Sequence, residues 1–108
     1  MSFPGKIALA NADTNAPGTP VLTLISTGAS PSIDIGFAVA PLAGDRIYIS
    51  DNGVRMVGIN PYTITATDIA NSQINLNLAN LATGSHVVQV THERNGHVSV
   101  PGSLSFTV

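Results

Sequence analysis

The run SHVVQVTHE at residues 85–93 alternates without a break. His86, Val88, Val90 and His92 fall on one side, and Val87, Gln89, Thr91 and Glu93 fall on the other. A side-chain period of two over this length predicts a half-buried β-strand, because successive Cβ atoms of an extended chain point to opposite faces. Turn signals bracket it: Thr83-Gly84-Ser85 before and Asn95-Gly96 after. Asn-Gly supplies the left-handed backbone that a two-residue hairpin needs. A last strand is expected at 103–108, with Leu104, Phe106 and Val108 inward. A long central strand that leads into a C-terminal hairpin is how a two-sheet β-structure closes its second sheet.

The rest of the chain repeats the pattern in shorter pieces. Strands are expected at 21–27 (VLTLIST), at 33–39 with Ile33, Ile35, Phe37 and Val39 inward, and at 46–50 with Ile47 and Ile49 inward and Tyr48 outward. A hairpin at Asp51-Asn52-Gly53 leads into a strand at 54–59, which Asn60-Pro61 ends. Residues 62–67 read as another short strand, 68–72 as a turn of helix or a loop, and 73–78 as a strand with Ile74, Leu76 and Leu78 inward. Seven or eight short strands with turn signals every ~10 residues predict an all-β sandwich. The strand-rich part runs over residues 21–108. Residues 1–20 read as an N-terminal arm and a Pro/Gly-rich linker.

Composition narrows the function classes. A chain of 108 residues is one domain, and without cysteine it holds neither a disulfide framework nor a zinc-thiolate site. Lys6, Arg46, Arg55 and Arg94 are scattered and make no patch for nucleic acid or for a membrane surface. No apolar run is long enough to span a bilayer. The start MSFPGKIALANAD lacks the charged beginning and long apolar core of a signal peptide, so the expectation is a chain made in the cytoplasm or a piece of something larger. Charged residues are only 9% against 44% apolar, so neighbouring copies repel one another weakly, as suits a protein packed in an array.

No catalytic constellation emerges. His86 and His92 share a strand face but stand about 20 Å apart, too far for one zinc ion. No serine sits in a Gly-x-Ser-x-Gly elbow, and Asp34, Asp45, Asp51 and Asp68 fall on separate turns and strands. Without tryptophan, and with only Tyr48 and Tyr62, paired carboxylates lack the aromatic platform of a glycosidase cleft. Neither a metal nor a cofactor is expected. Lys6, the sole lysine, is the one residue that an isopeptide cross-link could use. The candidate binding residues are instead the apolar arm, Phe3, Lys6, Ile7 and Leu9, which is built to lie on a sheet edge of its own domain or of a partner.

From Pro17 onward the chain resembles the bacterial immunoglobulin-like repeats of large surface adhesins. APGTPVLTL at 16–24 is similar to their Pro-rich entry and first strand, and AGDRIYISDNG at 43–53 to their Gly-Asp turn, strand and short hairpin. LATGSHVVQVTHERNGHVS at 81–99 is similar to their L-A-x-G-x-H-x-V/I-x-V strand and turn, and SLSFTV to their closing strand. His92-Glu93-Arg94 departs from the small and acidic residues usual there, and residues 62–71 are longer than the usual turn. A calcium role between repeats is therefore not carried over. The resemblance implies an immunoglobulin-like β-sandwich without enzyme activity. The same fold is reused as a decoration domain on tailed-phage virions. The expected function is a small structural protein on the virion surface, anchored by its arm to capsid or tail subunits or to further copies of itself. The alternative is an adhesin repeat at the bacterial cell surface, acting as a spacer or binding a host-surface glycan or protein.

Overall fold

The computed structural model describes residues 16–56 and 60–108. Two sheets form the molecule. The smaller has three strands in the order β1–β2–β6: β1 (Pro20–Leu24), β2 (Ser32–Phe37) and β6 (Gln73–Asn77). The larger has six and is built on the antiparallel pair of β3 (Arg46–Asp51) and β7 (Ser85–Arg94). β4 (Val54–Arg55) and β5 (Tyr62–Thr63) pair with β3 on its far side; β8 (His97–Val98) and β9 (Gly102–Thr107) pair with β7.

Alternation decides what fills the space between the sheets. Ile33 and Ile35 of β2, Ile74 of β6 and Leu78 come from one layer; Ile47 and Ile49 of β3, with Val88 and Val90 of β7, come from the other, and all are fully buried. At about 1.5–3 kcal/mol for each buried aliphatic side chain, this set dominates the driving force for folding. Val90 lies opposite Ile49 with no exposure. Val90→Ala should therefore cost about 2–3 kcal/mol in denaturant unfolding. A loss below ~0.5 kcal/mol would show that the inner face of β7 is not the core.

Three expectations need correction. Val39 is 59% exposed, not inward. The β1–β2 ladder begins at Pro20 opposite Phe37, so no partner strand continues the alternation past that point. Similarly β1 stops at Leu24, and Ile25 is exposed. Third, the strand expected over 62–67 lasts two residues before the chain turns into a helix, α1 (Ala66–Asn71). Thr65 and Asp68 form a reciprocal capping box: the Asp68 amide donates to Thr65 Oγ1, and the Thr65 amide donates to the Asp68 carboxylate. That satisfies two amides which the first helical turn leaves unpaired. Tyr62 also donates its hydroxyl proton to Asp68 at 2.8 Å, tying the strand end to the helix start. Of the strand expected at 54–59, only Val54–Arg55 is extended within the described residues.

Candidate functional site

Two histidine–aspartate pairs bracket the β3–β7 ladder, and both lie on the inner face. At one end, His92 Nε2 stands 2.7 Å from Asp45 Oδ2, with the ring 1% exposed and the carboxylate 4%. Arg94 donates to the same carboxylate through Nε at 3.1 Å and Nη2 at 2.8 Å, and the Leu42 amide adds a further bond at 3.0 Å. Burial alone would raise the Asp45 pKa. The donors from Arg94, Leu42 and His92 overcome it and hold the carboxyl at about 2. For His92, burial is the largest influence and lowers its pKa. Its Nδ1 is buried without a hydrogen-bond partner. The ring is therefore neutral, with its proton on Nε2 donated to Asp45, and the edge of Phe37 packs against it with centroids 5.3 Å apart. This is the base and orienting acid of a hydrolytic triad without the nucleophile. Ser99 Oγ accepts the His92 backbone amide and donates to the Val100 carbonyl, so it does not meet the ring. The cluster ties the Leu42–Asp45 turn to β7.

At the other end His86 has the opposite protonation. Its Nδ1 lies 2.8 Å from Asp51 Oδ2 and its Nε2 lies 2.6 Å from the Ala82 carbonyl. Both neighbours are acceptors, so only the imidazolium satisfies both. The Ala82 carbonyl first, and then Asp51, raise its pKa. The ring stacks on Phe106. A base with a raised folded pKa contributes stability that is complete below its unfolded value of 6.5 and is lost as pH rises through the folded value. The stability difference between the natural chain and His86→Gln should shrink on going from pH below 6.5 to well above it. A difference that stays flat across that range would count against a charged His86.

The opposite, outward face of the same ladder carries a shallow groove of about 220 Å³. Its floor consists of two cross-strand pairs, Tyr48 with Thr91 and Ser50 with Gln89. Gly53, Arg55 and Pro101 form its sides. The β3–β4 turn sets Arg55 in place. Asn52 and Gly53 both have positive φ, 50° and 84°, the backbone of a two-residue hairpin. The Asn52 side chain accepts from the Val87 amide at 2.8 Å and donates to the Ser85 carbonyl at 3.1 Å, pinning the hairpin to β7. Arg55 then stacks over the Tyr48 ring, 4.3 Å from its centroid. Arg46 lies beside Tyr48 and 4.0 Å from Glu93; both neighbours raise its pKa, Tyr48 the more.

Among the described residues no group of three His, Asp or Glu side chains could hold a metal ion, and no helix is long and apolar enough to cross a membrane. The candidate arm residues Phe3, Lys6, Ile7 and Leu9 lie outside the described residues. Reading the sequence missed both His–Asp pairs and the groove. One signal was available: histidines at inward positions of an alternating strand need buried partners, and Asp45 and Asp51 flank the strand expected beside it.

No protein-family model and no curated protein sequence matches the chain. Solved structures do. The PKD domain of an M14-like peptidase from Thermoplasmatales archaeon SCGC AB-540-F20 superposes with a TM-score of 0.61 at 17% identity, over 89% of this chain and 98% of that one. The fold is an immunoglobulin-like β-sandwich. The chicken interferon gamma receptor alpha chain has the same TM-score, 0.61, at 15% identity, over 84% of this immunoglobulin-like chain and 50% of the receptor. At such identities the likeness concerns the fold.

Proposed function

We propose that the chain is a non-enzymatic immunoglobulin-like module that serves as a structural part of a larger assembly. The observation that carries this reading is the buried His92–Asp45 pair. The pair is spent on holding a turn, and the neighbouring Ser99 hydroxyl is engaged with backbone groups rather than with the ring. We take the assembly to be a virion surface, with residues 1–12 as the anchor; the low charge of the chain and its apolar arm support that choice. A chain lacking residues 1–12 should keep the melting transition of the full chain and lose co-sedimentation with virion particles. A truncated chain that still sediments with the particles would overturn the anchoring role. The second reading is a repeat of a bacterial surface adhesin. The resemblance at residues 16–24, 43–53, 81–99 and 103–108 favours it. The neighbouring genes separate the two: head and tail genes for the first, one giant reading frame for the second.

A further inference from the structure

We propose that the groove on the outer face of the six-stranded sheet binds an acidic monosaccharide, a single sugar ring bearing a carboxylate. Arg55 pairs with the carboxylate, and Ser50, Gln89 and Thr91 bond the ring hydroxyls.

Charge accounting leads to this site. Among the described residues Arg94 is bonded to Asp45 and Arg46 lies 4.0 Å from Glu93, whereas Arg55 has no carboxylate partner and rests on the Tyr48 ring. The Arg55 guanidinium carbon sits over the Tyr48 ring, 4.3 Å from its centroid, and Arg55 is exposed, so its planar fork of N–H donors is open to solvent. Such a fork matches a carboxylate with two parallel hydrogen bonds. The hairpin beneath it is fixed by Asn52, so little freedom remains to be lost on binding.

The floor indicates what else the ligand carries. Ser50, Thr91 and the Gln89 carboxamide oxygen offer hydroxyl and amide partners within one groove, and Gln89 Nε2 is already directed to Ser103 Oγ at 3.3 Å. Beside Tyr48, the one apolar side chain on its wall is Pro101, since Ile49 contributes backbone and buries its side chain in the core. A peptide anchor would need a deeper apolar pocket. The space, about 220 Å³, is below the ~300–1,000 Å³ of sites for drug-sized ligands and cofactors, and so suits one ring. Glu93 lies on the same face, next to Arg46, and would repel an anion that strayed toward that end.

The site is independent of how the module is anchored. It is tested by following backbone amide NMR signals of the purified chain while glucuronate, glucose or acetate is added. Glucuronate should give saturable shifts at millimolar concentration, confined to Ser50, Arg55, Gln89 and Thr91 and their neighbours, with glucose and acetate weaker. Arg55→Gln should keep the natural melting temperature, because the residue is exposed, and weaken glucuronate binding about tenfold or more. Thr91→Val should weaken it separately. The proposal is overturned by the absence of saturable shifts with glucuronate, by acetate matching it, or by an Arg55→Gln chain that titrates like the natural one.

Discussion

Asp45→Asn should cost about 3 kcal/mol or more of folding stability, among the largest effects of any single side-chain change here. The substitution hardly alters volume, so the loss isolates charge and hydrogen bonding. Three groups depend on that carboxylate: the Arg94 guanidinium, the His92 ring and the Leu42 amide. Asparagine keeps one acceptor and turns an amide donor toward those donors, which leaves the buried His92 ring and the partly buried Arg94 guanidinium without their charged acceptor. The acid side supplies an independent check. An acid whose folded pKa is depressed contributes stability that is present above its unfolded value and is lost as pH falls through the folded one. For Asp45 that window runs from 3.8 down to about 2. The natural chain should lose about 2 kcal/mol from this group across the window, and Asp45→Asn should show no such slope. Arg94→Gln should be strongly non-additive with it, since the two share one network. A loss under ~1 kcal/mol for Asp45→Asn would mean that the cluster is solvated rather than buried.

Gly102→Ala should be of similar severity for a different reason. Gly102 is buried at the start of β9, where the two sheets come together beside β1. A Cβ there would lie 2.1 Å from the Pro20 carbonyl oxygen and 2.8 Å from Leu22 Cδ1. The leucine methyl can move, but the carbonyl belongs to the first residue of β1 and cannot yield without opening the edge of the sandwich. One added methyl group should therefore cost about 3 kcal/mol, at the upper end of overpacking effects. Gly36→Ala is the control: its new Cβ would be 3.6 Å from the Val21 carbonyl oxygen, an ordinary contact, and its φ is not in the left-handed region. Equal losses at the two positions would reduce the Gly102 effect to a general strand-glycine effect and remove the argument from close approach.

Much of this architecture could be read from alternation and turn chemistry. The inner face of β7 and the hairpins at Asn52-Gly53 and Asn95-Gly96 follow from rules that act within a few residues. What escaped depends on partners distant in sequence. Val39 looks inward by period alone, but whether a neighbouring strand reaches it is decided by where β1 begins. Gly102 looks like part of a Pro-Gly turn, yet its need is set by Pro20. The Thr65-to-Asp68 spacing was legible as a helix start and was overshadowed by the β-branched run before it. The two segments that depart from the adhesin-repeat pattern hold the features peculiar to this chain: His92 and Arg94 build the buried cluster, and the longer stretch before β6 contains α1.

The strand order has a consequence for how fast the fold is reached. β2 meets β6, and β3 meets β7, across separations such as the 41 residues between Asp34 and Asn75 and the 47 between Asp45 and His92. Closing such loops costs chain entropy before any core contact repays it, which places sandwiches of this topology in the millisecond-to-second range. The β3–β4 and β7–β8 hairpins, and the β1–β2 pair that closes at Leu24 opposite Ile33, are local enough to form early. In the interval the apolar sides of β3 and β7 are without their cover, and the low charge of the chain leaves little repulsion to keep nascent copies apart.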